Sequence, residues 1–274
     1  HGSLKLTFHH NLGSENTDLL AYSLYTTLSA TNTVTTVSAS ELTLAASTSK
    51  PVKLSAQGTF ELTDSKKPYI KAGIANSLSI KRTSKILGHH EFDIVSLSNA
   101  KIDTADLMMC EFSLKTAEGV AKKLLRKSDT IIGSDGDDYL AGYRGDDLIE
   151  GREGADIMYG GAGRDTFTYS KLEDSGTYDS AMSDGYVYIG GVRVYQSGFN
   201  DTIIDFKSGQ DSIDLSGIGD LSKKHLNITD LSNGQSATDY GYSLVIDKDM
   251  DGVPEMIIDF LNTSKPLRMS DLIL

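Results

Sequence analysis

Five aspartates recur nine residues apart, Asp129, Asp138, Asp147, Asp156 and Asp165, and two residues beyond each stands a large apolar side chain: Ile131, Leu140, Ile149, Met158 and Phe167. Four full nonapeptides carry the period, opening at Gly133-Ser-Asp-Gly, Gly142-Tyr-Arg-Gly, Gly151-Arg-Glu-Gly and Gly160-Gly-Ala-Gly, with a degenerate unit ahead of them. Position one is thus Gly133, Gly142, Gly151 and Gly160, position four is Gly136, Gly145, Gly154 and Gly163, and the last copy adds Gly161. Glycine at positions one and four predicts tight turns through positive φ, which aim carbonyl oxygens into the turn. Position six adds a carboxylate there, and the last three residues predict a short strand whose position-eight side chain points inward. Such an all-oxygen donor set suits the hard calcium ion rather than zinc or copper, which would want imidazole or thiolate.

These copies resemble the RTX nonapeptide G-G-x-G-x-D-x-U-x, where U is a large apolar residue. The resemblance implies a parallel β-roll in which two nonapeptides complete one right-handed coil and coils stack at the strand spacing of ~4.8 Å. Units two apart then face each other, so that Asp129 pairs with Asp147, Asp138 with Asp156, and Asp147 with Asp165. Several bound calcium ions are implied. Without them, stacked carboxylates repel, and three-residue strands bury too little apolar surface to offset the ordering of the chain. Extracellular calcium modules bind at about 10⁻⁴ to 10⁻³ M, so such a segment is expected to stay unfolded inside the cell and to fold outside it.

Beyond the copies, Asn200-Asp-Thr-Ile-Ile-Asp-Phe-Lys-Ser-Gly-Gln-Asp-Ser-Ile-Asp-Leu-Ser-Gly-Ile218 looks like the closing segment of serralysin metalloproteases and of mannuronan C5-epimerase R-modules. The resemblance covers residues 125–274. It implies one more calcium ion at positions matching Asp174, in Glu173-Asp174-Ser175, and Asp201. Here a longer loop separates the two, with Tyr178, Tyr186, Tyr188 and Tyr195; it reads as packing or as a sugar-contacting surface. Asp247-Lys-Asp-Met-Asp-Gly252 has the start of an EF-hand loop, but Ile258 stands where a bidentate Glu is required. An Asp-Gly hairpin turn between two strand-like runs is the preferred reading. The last residues, Asp271-Leu-Ile-Leu274, are similar to the ends of serralysin-like substrates of type I secretion. An amphipathic final strand would look alike.

The elements that must position these groups divide the chain at residue 124. Residues 1–128 hold 15 Lys and Arg against 11 Asp and Glu, a net +4, and the remainder holds 11 against 27, a net −16. Concentrated acid interleaved with apolar residues calls for bound cations, not a solvated tail. Residues 4–124 read as an α+β domain, with strands at Leu4–Phe8, Thr33–Ser38, Gly58–Thr63, Asn76–Ile80 and Glu91–Leu97 and helices at Asp18–Leu28 and Thr116–Leu125. Residues 125–274 read as a mainly β unit, a parallel β-roll with a β-sandwich-like closing segment. The run Val52–Met109 faintly resembles hemophores; that resemblance implies an iron-binding tyrosine where this chain has Phe60 and Glu61. His9, His10, His89 and His90 are candidate iron or zinc ligands, although solvated loop positions explain them as well. The single Cys110 cannot form an internal disulfide and reads as a buried thiol.

No basic start followed by an apolar stretch marks an N-terminal secretory signal, His1-Gly2-Ser3 reads as a cloning remnant, and no run approaches the roughly 20 apolar residues of a membrane span. Neither a helical zinc-protease motif nor a nucleophile elbow occurs, so an enzyme is not expected. The expectation is a secreted, extracellular or cell-surface calcium-binding protein exported by type I machinery. Its N-terminal domain would bind an acidic exopolysaccharide or a cell surface, and nucleic acid is not expected as a partner. The alternatives are a heme carrier and the C-terminal part of a larger enzyme, toxin or adhesin.

Overall fold

In the computed structural model of the chain, the described residues are 4–8, 20, 24, 33–38, 40–46, 52–62, 70–84, 90–109, 114–175, 185–189, 192–196, 200–230, 241–263 and 265–274. They fall into two units, one ending at Arg126 and one beginning at Lys127.

The first unit is an antiparallel sheet of β1 (Lys5–Phe8), β2 (Thr33–Val37), β3 (Glu41–Ala46), β4 (Val52–Leu62), β5 (Ile70–Ser84) and β6 (His90–Ser98). The order is β2-β3-β4-β5-β6-β1, with the short β7 (Ile102–Asp103) also on β5. Alternation explains the pairing: Leu54, Ala56 and Phe60 of β4 and Leu78 and Ile80 of β5 are buried on one face. Against the expectation of short patches, β4 and β5 run 11 and 15 residues, because the polar positions that break the apolar pattern simply lie on the other face. Two helices follow, Thr104–Met109 and Leu114–Leu124. The second buries Ala117 together with Val120 and Ala121, three and four residues further on, on one stripe. Of the expected helix Asp18–Leu28 only Leu20 and Leu24 are described, both helical and fully buried; the rest lies outside the described residues, as does Cys110.

In the second unit the nonapeptides give β8 (Thr130–Ile132), β9 (Tyr139–Ala141), β10 (Leu148–Glu150), β11 (Ile157–Tyr159) and β12 (Thr166–Thr168). Successive strands alternate between two parallel sheets. One pairs β8 with β10 and β10 with β12, and the other pairs β9 with β11. The position-eight residues meet between them: Ile131, Leu140, Ile149, Met158 and Phe167 are all at most 1% exposed. Both sheets then continue. β16 (Ser212–Asp214) and β20 (Leu272–Ile273) extend the first. β15 (Asp201–Ile203) and β19 (Met256–Leu261) extend the second, and β18 (Gly241–Ile246) and β17 (Leu226–Asp230) add to it antiparallel. Phe206 packs between Phe167 and Phe260 at ring distances of 6.3 and 5.2 Å, carrying the core past the last copy. Within the long loop, β13 (Gly185–Ile189) and β14 (Val192–Gln196) form a two-stranded antiparallel ribbon with Tyr186 opposite Tyr195. Tyr178 lies outside the described residues. No described helix is long and apolar enough to cross a membrane.

Candidate metal centre

The turn of each nonapeptide sets its aspartate against the next coil. The backbone N–H of Asp129 donates to Asp147 Oδ1 at 2.8 Å, that of Asp138 to Asp156 Oδ1 at 2.8 Å, and that of Asp147 to Asp165 Oδ1 at 3.0 Å. The three pairs expected from the β-roll are thus adjacent. Each bond spans 18 residues, two nonapeptides. The ladder continues beyond the copies, since Asp156 N–H reaches Asp201 Oδ1 at 2.9 Å and Asp165 N–H reaches Asp211 Oδ1 at 3.1 Å. A second ladder runs the other way at position five, where the N–H groups of Ala155 and Arg164 donate to Asp137 and Asp146.

In Asp147, Asp156 and Asp165 one oxygen is therefore committed to the backbone of the preceding coil, and the other is left over. Asp147 Oδ2, Asp156 Oδ2 and Asp165 Oδ2 are buried without a hydrogen-bond partner. Burying a carboxylate oxygen in this way is costly unless a cation or a proton meets it. The protein's own alternative is the proton. Burial, reinforced by Asp165 and Asp129, pushes Asp147 up to about 7, and burial with Asp211 pushes Asp165 up to about 6. Asp156 and Asp201 are also raised well above the ordinary carboxylate value, chiefly by burial and with a contribution from neighbouring aspartates.

The glycines divide their work differently from the expectation. In three copies position four takes positive φ, at 126° for Gly145, 129° for Gly154 and 147° for Gly163, but position one does not; the second left-handed residue of these copies is at position two, Tyr143, Arg152 and Gly161. Position one is glycine for space. A Cβ on Gly142, Gly151 or Gly160 would stand 2.4, 2.1 or 2.5 Å from the leftover oxygen of the aspartate in the same copy. At Gly133 a Cβ would instead meet the Gly151 carbonyl oxygen at 2.3 Å. The turns are shaped around bare carboxylate and carbonyl oxygens, a donor set that fits calcium.

Asp174 and Asp201 come together as the resemblance implies. Both are at most 1% exposed, and Asp174 raises the pKa of Asp201. Asp174 Oδ2 accepts from Ser170 and Lys171, while Asp174 Oδ1 is buried without a partner, as is Asn200 Oδ1. Ser175 ties the corner, donating to the Ile257 carbonyl and accepting from Asp201 N–H at 2.9 Å. Asp211 was not singled out in the sequence, although Asp201-Thr-Ile203 and Asp211-Ser-Ile213 keep the aspartate-to-apolar spacing of positions six and eight.

The Asp247 segment is the hairpin loop between β18 and β19, and it gathers acids. Asp247, Asp249 and Glu255 each offer a carboxylate oxygen within 4.8 Å of the others. Ile258 is wholly buried in β19. At the C-terminus, Asp271 is buried, accepting from Ser208 Oγ at 2.6 Å and from the N–H groups of Gly209 and Arg268, and Leu272–Ile273 is a strand. In the first unit Phe60 is buried and Glu61 exposed on the opposite face of β4. His90 opens β6. His9, His10 and His89 lie outside the described residues.

Residues 132–167 match the family model of the RTX calcium-binding nonapeptide repeat in four copies. The chain therefore carries RTX calcium-binding nonapeptide repeats, and these fold as a parallel β-roll. Among solved structures, the AlgE6R3 subunit of the Azotobacter vinelandii mannuronan C5-epimerase is similar at 21% identity, over 54% of this chain and 78% of that one, with a TM-score of 0.32. No curated protein matches this chain.

Proposed function

We propose that the chain is a secreted calcium-dependent binding protein: the second unit folds when it meets calcium outside the cell, and the first recognises an anionic partner. The observation that carries the reading is the pair of aspartate ladders, in which one carboxylate oxygen per coil is fixed by the backbone while Oδ2 of Asp147, Asp156 and Asp165 is buried without a partner. Asp129, Asp138, Asp147, Asp156, Asp165 and Asp201 then hold calcium together with turn carbonyls, and Asp174 shares a further ion with Asp201. Bound calcium supplies positive charge that cancels the repulsion along each ladder. Two carboxylates about 4 Å apart repel by roughly 4 kcal/mol at an effective dielectric of about 20, so a stack of them decides whether a small domain folds.

Export follows from the same coupling. A segment that cannot fold at cytosolic calcium stays threadable, which suits type I machinery. The net +4 of residues 1–128 favours an acidic exopolysaccharide or a cell surface as the partner, and with no nucleophile or metalloprotease motif the role is binding and not catalysis. A glycan array probed with the full chain in millimolar calcium tests this. Retention on anionic polysaccharides and not on neutral ones is expected, and retention on none contradicts the binding role.

A further inference from the structure

The ladder Asp129–Asp147–Asp165–Asp211 does not end as it runs. Residues 206–211 form one more turn in the same register as the nonapeptide turns: Gly209 takes position four with φ 85°, Asp211 takes position six and Ile213 position eight. What differs is the filling. Asp147 and Asp165 keep Oδ2 unpartnered, yet Asp211 has both oxygens in use, Oδ1 taken by Asp165 N–H at 3.1 Å and Oδ2 by Lys207 N–H at 2.8 Å.

The facing turn is likewise spoken for. Lys207 Nζ donates to the Gly161 carbonyl and Gln210 Nε2 donates to the Gly163 carbonyl, at positions two and four of the last nonapeptide. Lys207 stands at position two of its own turn, where earlier turns on this edge have Tyr143 and Gly161, neither able to place a cation there. Its half-buried ammonium lowers the pKa of Asp165, Asp205 and Asp211 alike, so its charge is felt by all three carboxylates at this end. Asp205 in turn binds the N–H groups of Gly160 and Gly161 at 2.9 and 2.7 Å, fixing the turn that Lys207 meets.

We infer that Lys207 and Gln210 close this ladder in place of a calcium ion, an ammonium and an amide occupying turn carbonyls that would otherwise be ligands, so that the step between Asp165 and Asp211 takes no calcium. An ammonium is a monovalent donor with three N–H groups and needs no dehydration of a divalent ion. The charge of the carboxylates at the far end of the roll is thereby offset by an ammonium and not by calcium. The inference rests on the ladder holding calcium elsewhere.

Equilibrium dialysis against calcium, counting ions per chain for the wild type and Lys207→Met, tests it, with circular dichroism to establish that the variant is folded. One additional ion per chain in Lys207→Met is expected, and an unchanged count in a folded variant overturns the inference while leaving the ladder intact. A wild type that binds no calcium sinks both. Acetylation of the wild type by an amine-reactive ester, read at Lys207 by mass spectrometry, needs no variant. Lys207 is expected to stay protected as calcium saturates, whereas a rise in its reactivity, from expulsion of the ammonium by an incoming ion, contradicts the assignment.

Discussion

The backbone N–H of Asp156 donates to Oδ1 of Asp201 at 2.9 Å across 45 residues of chain, where the bond one coil earlier, from Asp138 to Asp156, spans 18. The long loop is therefore an insertion into a ladder that continues on its far side, and the site is larger than the nonapeptides that announce it.

An inner rung touches two neighbours and an outer rung one. Asp147 accepts from Asp129 N–H and donates its own N–H to Asp165, whereas Asp129 has only the Asp147 side of the ladder. Asp147→Ala is expected to raise the calcium midpoint of folding more than Asp129→Ala, by a factor of about 10 or more if one charged hydrogen bond of ~1.5–3 kcal/mol is lost with it. Calcium titrations followed by circular dichroism measure both midpoints, and a larger shift for Asp129→Ala refutes the paired-turn arrangement.

Glycine at position one is predicted to be irreplaceable for reasons of space. Gly151→Ala would place a methyl 2.1 Å from Asp156 Oδ2, and the loss of stability in calcium is expected to reach or exceed the ~1–3 kcal/mol usual for overpacking. Gly119→Ala, in the helix Leu114–Leu124 with nothing within 4 Å of the added carbon, should instead stabilise the first unit by about 1 kcal/mol. Thermal melts of the two variants separate these effects. Equal and small changes in both would show that the turn is looser than its geometry.

The raised carboxyls set a pH dependence of definite sign. Asp147 rises from 3.8 to about 7 and Asp165 to about 6, chiefly through burial, so each holds its proton more tightly folded than unfolded. Between 3.8 and about 7 the calcium-free fold binds more protons than the unfolded chain, and its stability therefore falls as pH rises through that window. In chelator, β structure in the second unit is expected to be greater at pH 5 than at pH 8, while the calcium needed for folding increases below about pH 7 because protons compete for the same oxygens. A chelated protein that gains β structure as pH rises from 5 to 8 would contradict this.

The periodic part of the site was legible in residue types alone, because Asp129 to Asp165 and Ile131 to Phe167 repeat in register and each register has one physical use. Asp211 was missed because its turn, Phe206-Lys-Ser-Gly-Gln-Asp, keeps only the glycine at position four and the aspartate at position six, too little to stand out without the sheet that aligns it. The role of position-one glycine was misread for a related reason. Sequence registers the absence of a side chain but not whether torsion or space requires it, and only the placement of Asp156 Oδ2 beside Gly151 decides for space. In the first unit β3 and the helix Thr104–Met109 were not anticipated, since Glu41–Ala46 and the latter are short and take their stability from the neighbours they pack on, not from local pattern.

Hydrogen exchange with and without chelator, resolved by residue, tests the central claim most directly, because the amides of Asp129, Asp138, Asp147, Asp156 and Asp165 are the ones donated along the ladders. In millimolar calcium these five amides and those of β4 and β5 should all be protected. Chelator should abolish protection of the five and leave that of β4 and β5 largely in place. Ladder amides that remain protected after calcium is removed would contradict the claim that calcium folds this unit.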